Sequence, residues 1–175
     1  PKTLNVMINL ALLRESQGKH AEAGSLFAKA LEGHRRVSGE EHSNTLTAMA
    51  HLASSYLRQG KYAEAEPLFI KTLDIRRRVS GEEHVEILTM MNNLAYLYGD
   101  QGKYAEAEPL FVQVLEARRR VSGEEHVKTL TLMNNLATMY LHQGKYAEAE
   151  PLLFKALEAS RRVEGEEDLD TLILM

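Results

Sequence analysis

The chain has 175 residues, 44% of them hydrophobic and 26% charged, with a net charge of −4 and no cysteine. Without cysteine there is no disulfide framework and no thiolate zinc site. The small negative charge argues against nucleic acid or an anionic membrane as the main partner.

In chain order, Pro1 comes first, at a position that later aligns with the first residue of a helix, where proline is favoured. A chain opening on Pro1 rather than Met reads as a piece of something longer. Next comes a worn copy, Gln17 to Phe27, of a stretch that recurs almost unchanged at Gln59–Phe69, Gln101–Phe111 and Gln143–Leu153. Gly18, Gly60, Gly102 and Gly144 are spaced 42 residues apart. A constant period of roughly 20–50 residues signals a stacked repeat array. The chain therefore divides into repeats 1–42, 43–84, 85–126 and 127–168, with 169–175 starting a truncated fifth, all in one elongated domain 1–175.

Each repeat reads as two helices, and the third shows the pattern most clearly. Leu88, Met91, Leu94, Ala95 and Tyr98 recur at helical spacing. Gly102 can take the left-handed conformation that closes a helix. A second helix starts near Tyr104, turns Ala107, Leu110, Phe111, Val114, Leu115 and Ala117 inward, and stops at Gly123. Glu106 and Glu108 near its start and Arg118, Arg119 and Arg120 near its end complement the helix dipole. The arginine runs at 35–36, 76–78 and 161–162 repeat the device. They read as solvated helix ends; the alternative is a phosphate-binding stripe, which the neighbouring glutamate pairs would largely neutralise. Pro67, Pro109 and Pro151 predict a small kink or a late helix start.

The linker Ser-Gly-Glu-Glu-His recurs at 38–42, 80–84 and 122–126. Its histidines suggest a metal site, but equivalent points in stacked helix pairs lie about 10 Å apart, too far for one ion with bonds of about 2 Å. Asp168 replaces histidine in the fourth repeat, and aspartate is a strong helix cap. His42, His84, His126 and Asp168 are therefore expected to cap the following helices, with no metal and no cofactor. The tail carries Leu169, Leu172, Ile173 and Leu174, an apolar patch able to support self-association. No apolar run approaches the roughly 18 residues of a membrane span, and no signal peptide is visible, so a cytoplasmic protein without a membrane partner is expected.

The order of large and small residues Leu94, Ala95, Tyr98, Gly102, Tyr104, Ala107 and Phe111 resembles a tetratricopeptide (TPR) repeat. Met91 stands at the usual tryptophan and Arg119 where proline is common. The usual period is about 34 residues; the longer form here, with Asn-Asn-Leu-Ala at 92–95 and 134–137, resembles the TPR domain of kinesin light chain and similar arrays in bacterial and fungal proteins, including sensor regions of signalling ATPases. His84-Val85-Glu86 lacks the proline of that family's His-Pro-Asp. The resemblance implies an all-α fold, a right-handed α-solenoid (superhelix) of stacked antiparallel helix pairs, with first helices lining a concave groove. It implies a non-catalytic scaffold that holds a short linear peptide there, as a cargo adaptor or sensor array.

On that geometry the groove residues are Asn9 in the first repeat, with Leu12 and Ser16 beside it. The second repeat offers Thr47, His51, Ser54 and Arg58 beside Ala50, and the third Thr89, Asn92, Asn93, Tyr96 and Asp100. The fourth offers Thr131, Asn134, Asn135, Thr138 and His142. An amide both donates and accepts, so asparagine can pair with peptide backbone of any sequence. Asn92 and Asn134 are expected to face the ligand, with Asn93 and Asn135 nearer the interior; the alternative is that one of each pair bonds across to a neighbouring helix. Asn92, Asn134 and Thr131 occupy places that carry cations in the TPRs gripping C-terminal carboxylates, which disfavours that ligand. No phosphate loop, nucleophile–base pair or metal-spaced set points to an enzyme. The alternatives are self-association through open repeat ends and an anion- or nucleic-acid-binding arginine stripe.

Overall fold

In a computed structural model, residues 2–80 and 85–164 are described, and among them the fold is all-α. The helices are α1 Lys2–Ser16, α2 His20–Ser38, α3 Ser43–Arg58, α4 Tyr62–Ser80, α5 Val85–Asp100, α6 Tyr104–Ser122, α7 Val127–His142 and α8 Tyr146–Glu164. The chain divides into two compact units, Pro1–Leu97 and Tyr98–Met175. In the first, α1 packs on α2, α2 on α3 and α3 on α4; in the second, α6 packs on α7 and α7 on α8.

Helix ends follow the repeat. Gly60 and Gly144 take φ of 69° and 70°. The turn lets the amide of Lys61 reach the Tyr56 carbonyl and that of Lys145 the Tyr140 carbonyl, both at 2.9 Å, in a Schellman closure. Each lysine then lies over the ring of the same tyrosine, Lys61 at 5.7 Å from Tyr56 and Lys145 at 5.4 Å from Tyr140. At the other end, His42 and His126 cap as expected: each Nδ1 accepts the backbone N–H two residues on, from Asn44 and Lys128, at 3.1 Å. His84 and Asp168 lie outside the described residues, as do Leu169, Leu172, Ile173 and Leu174.

A late start at proline is not what the structure shows. α4, α6 and α8 begin at Tyr62, Tyr104 and Tyr146, five residues before their prolines. The helix is already formed before each proline, with Ala65→Lys61, Ala107→Lys103 and Ala149→Lys145 backbone bonds of 3.0–3.2 Å.

The first unit has a core of Ile8 and Ala11 from α1, Ala23, Phe27, Ala30 and Leu31 from α2, and Ala48, Met49 and Leu52 from α3. Burying a side chain the size of Phe27 contributes roughly 1.5–3 kcal/mol. In the second unit, Ala107, Phe111, Val114, Leu115, Met133, Leu136, Ala137, Ala149 and Ala156 are buried. The first helices are buried on more than the predicted stripe: Ile87, Met90 and Leu97 of α5 are as buried as Leu88 and Met91. The arginine runs also depart from expectation. Arg76 and Arg118, read as solvated helix ends, are each only 6% exposed. They stand seven residues after Phe69 and Phe111, on the apolar face of their helices.

Candidate functional site

In the first unit a cavity of about 200 Å³ opens between α3 and α5. From α3 it takes Thr47, Ala50, His51 and Ser54; from α5, Val85, Glu86, Thr89, Met90 and Asn93; from α4, Arg76. The α3 residues recur at 47, 50/51 and 54 and those of α5 at 86, 89/90 and 93, so each helix turns one stripe toward the opening.

Arg76 is the buried charge of the site. Its guanidinium pairs through Nη1 with the half-exposed Glu86 carboxylate and donates through Nη2 to Thr47 Oγ1 at 3.2 Å. Its Nε is buried and unpartnered, and burial lowers its pKa. Asn93 Nδ2 donates to Ser54 Oγ at 3.3 Å, tying α5 to α3 across the cavity. His51 stacks on Phe27 with ring centroids 5.2 Å apart. Burial lowers its pKa, with Glu15 opposing and Arg58 and Arg76 reinforcing the shift. A neutral imidazole keeps one donor and one acceptor for a partner.

One repeat earlier a second cleft is lined by Asn5, Ile8, Asn9, Asn44 and Thr47, the counterparts of Thr47, Ala50, His51, Glu86 and Thr89. His34 holds the position of Arg76. It is 1% exposed, with Nε2 buried and unpartnered, and burial followed by the charge of His42 keeps its pKa low.

The structure thus brings together Thr47, His51, Ser54, Thr89 and Asn93 of the predicted set, and puts Asn9 in the neighbouring cleft. The two asparagines of α5 are turned the other way from the expectation. Asn93 lines the cavity, whereas Asn92 has its Oδ1 buried without a partner. Arg58 is held by Glu15 Oε2 at 2.8 Å. Tyr96 is 49% exposed and Asp100 is exposed. In the second unit Thr131, Thr138 and His142 are exposed and Asn134 and Asn135 half-buried. The hydroxyls of Thr89, Thr131 and Thr138 bond back to the carbonyl four residues earlier at 2.9 Å, which leaves them as acceptors. A cleft in this unit is lined by Val112, Leu115, Glu116, Arg119, Leu136, Tyr140, Glu148, Pro151, Leu152 and Lys155, none of them a predicted groove residue.

Arg76 and Glu86 were not among the predicted residues. The signal for Arg76 was present: Phe69, Leu73 and Arg76 follow one another at four- and three-residue steps, so the first arginine of the run continues the buried stripe. One arginine of each run meets a linker glutamate, in the pairs Arg35–Glu40 at 3.1 Å, Arg78–Glu41 at 3.0 Å, Arg119–Glu124 at 3.2 Å and Arg162–Glu125 at 3.3 Å. This is the neutralisation that the linker composition implied. No helix among the described residues is long and apolar enough to cross a membrane.

Comparison with known proteins places this geometry. A search of the curated proteins found no match. Among solved structures, a putative kinesin light chain with nearly identical TPR-like repeats from Podosopora anserina is 25% identical. It covers 98% of this chain and 82% of its own, with a TM-score of 0.86. BtubC (BKLC) from P. vanneervenii is 26% identical over 94% of this chain and 67% of its own, with a TM-score of 0.80. NprR, solved with its cognate peptide NprX, is 22% identical over 98% of this chain and 48% of its own, with a TM-score of 0.73. The model of the tetratricopeptide repeat family matches residues 2–78, 48–120, 86–162 and 128–175. Together with the stacked helix pairs and their kinesin light chain-like period, these matches identify the chain as a member of the tetratricopeptide repeat family, of the α-solenoid type.

Proposed function

We propose that the chain is a non-catalytic interaction scaffold that holds an extended peptide segment of a partner protein along its first helices. The observation carrying this reading is the cavity between α3 and α5, where Thr47, His51, Ser54, Thr89 and Asn93 converge. Its walls suit a peptide. Ala50, Val85 and Met90 offer apolar surface for one side chain, and the amide of Asn93 offers a donor and an acceptor for main chain. One Asn93 N–H is already given to Ser54, which fixes the amide before a ligand arrives. The NprR–NprX complex supports the reading as an analogy of fold, since NprR holds a peptide on the same kind of scaffold.

The test is selection of binders from a randomised peptide library on the full chain, followed by titration of a selected peptide against Asn93→Ala. Losing one amide that pairs with the peptide backbone is expected to weaken binding about tenfold, while circular dichroism stays unchanged. Selected peptides that bind Asn93→Ala as tightly as the parent would overturn the assignment of this cavity.

A further inference from the structure

One position of the repeat carries a different size of side chain along the array: Ile8 in α1, Ala50 in α3, Asn92 in α5 and Asn134 in α7. Alanine is the smallest of these, and it stands half-buried in the wall of the α3–α5 cavity. In the cleft one repeat earlier, Ile8 puts its own side chain at the matching place, 9% exposed, among Asn5, Asn9, Asn44 and Thr47. There the apolar group belongs to the protein. At Ala50 the space beside Val85 and Met90 is open to the apolar group of a ligand.

Polar contacts brace that space on each side. Asn93 ties α5 to α3 through Ser54 at 3.3 Å. Arg76 ties α4 to α3 through Thr47 at 3.2 Å and α4 to α5 through Glu86. His51 is fixed by its stack on Phe27. Walls set in this way spare the ligand part of the ordering cost of binding. The cavity measures about 200 Å³. An apolar space of about 150 Å³ holds a benzene ring, so one large side chain fits. Met90, 3% exposed, is unbranched and pliable, which favours selection by size and apolarity over selection of one shape. A charged side chain is disfavoured. Arg76 is 6% exposed and already has the Glu86 carboxylate as its partner, so a further ionised group would be desolvated beside a balanced pair.

On the peptide-binding reading above, on which this rests, we infer that the α3–α5 cavity takes one large uncharged apolar side chain of the bound peptide, and that Ala50 is the residue that admits it. Leucine, isoleucine, methionine and phenylalanine are the side chains of that class. The specificity of the site then comes from an absence of bulk on α3, and the amide of Asn93 beside it serves main chain of any sequence.

Peptides selected on the full chain from a randomised library test this. They are expected to share one position held by a residue of that class. Replacing it with alanine should weaken binding about tenfold to a hundredfold, the worth of burying one such side chain. Ala50→Ile, which copies the residue of α1, should weaken binding of the parent peptide by about as much. It should change binding of the alanine-substituted peptide little, because the two changes remove the same contact. Circular dichroism checks that Ala50→Ile stays helical, and the substituted peptide reads the anchor without altering the chain. Selected peptides with no shared apolar position, or with a charged one, overturn the inference. So does parent peptide that binds Ala50→Ile undiminished, or a loss of equal size for both peptides. In each of those cases a tenfold loss with Asn93→Ala would leave peptide binding at this cavity standing, whereas a library without binders would overturn both.

Discussion

The α2–α3 joint and the α6–α7 joint are the same step of the repeat, yet their polar groups solve it differently. At the first joint, Gly24 on α2 lets α3 approach, and the Ser55 hydroxyl and Gln59 amide both donate to the His20 carbonyl at 3.1 Å. At the second, Glu108 stands where Gly24 does, Met139 replaces Ser55, and the amide of Gln143 turns back to the Met139 carbonyl at 3.4 Å. The carboxylate takes over, accepting from the Tyr140 hydroxyl at 3.1 Å and Lys145 Nζ at 2.9 Å. One joint is neutral and uses backbone; the other is ionic and uses side chains. The apolar part stays filled at both, with Phe27 and Phe111 at 1% and 3% exposure, although Val114 and Leu132 of the second joint stand where the first has Ala30 and Ala48. Packing therefore defines the repeat, and the polar rim is free to vary.

The largest effect tests that division. Phe27→Ala and Phe111→Ala should each cost about 3–5 kcal/mol, because each leaves a cavity in a filled core. Urea unfolding followed by circular dichroism reads both. A loss at one site several-fold smaller than at the other would mean that the joints do not share one apolar core.

A smaller effect separates the joints by pH. Lys145 first, and Tyr140 behind it, hold the Glu108 carboxyl below its ordinary pKa, against the opposing effect of burial. A lowered folded pKa adds stability above the unfolded value, which is lost as pH falls through the folded one. Glu108→Gln should therefore cost about 1 kcal/mol at neutral pH, the partial exposure of the carboxylate keeping it at the low end for charged hydrogen bonds. The gap to the parent should close in acid below the usual carboxylate range. At the alkaline end, burial first and Glu108 second push Tyr140 up to about 12. A raised pKa works in the opposite sense: its contribution is full below the unfolded value and fades as pH climbs toward 12. Gln59→Ala at the neutral joint should cost about 1 kcal/mol without either pH dependence. Thermal melts across pH compare the two.

Much of this architecture can be read from residue spacing, and the gaps have physical causes. The Gly18 period, the Leu88–Met91–Leu94 stripe and the histidine caps follow from local rules, since a turn, a helix face and a cap each involve neighbours in sequence. Met90 and Leu97 escaped that reading because α5 is buried on a second face as well, and one helical stripe describes only one. Arg76 escaped because a charged residue in a basic run looks solvated, although its three- and four-residue spacing from Phe69 and Leu73 places it inside. The candidate site was legible on α3, where Thr47, His51 and Ser54 lie on one stripe. It was less so on α5, where two adjacent asparagines differ by one helical step of about 100°. Composition cannot say which of them faces the cavity; packing against Ser54 does.

The smallest expected effect would convert one joint into the other. Tyr56 and Lys61 already stand at the first joint as Tyr140 and Lys145 do at the second, lysine over ring at 5.7 and 5.4 Å. Only the carboxylate is missing, because Gly24 holds its place. A Cβ at Gly24 would meet Gln59 Nε2 at 3.0 Å and Ser55 Oγ at 3.4 Å, so the amide must move by a few tenths of an ångström. The amide is the far end of a flexible side chain, but its bond to the His20 carbonyl loosens, at a cost of up to about 1 kcal/mol. Both Gly24→Ala and Gly24→Glu bear that cost, and both gain roughly 0.5–1 kcal/mol by replacing glycine within a helix. Glutamate alone adds the carboxylate that Tyr56 and Lys61 are placed to receive, contributing about 0.5 kcal/mol at a partly exposed site. Gly24→Glu should therefore melt above Gly24→Ala at neutral pH, and the two should converge in acid once the carboxylate is protonated. If alanine were the more stable at neutral pH, the ionic rim of the α6–α7 joint would depend on Met139 in place of Ser55, and the two solutions would not be interchangeable.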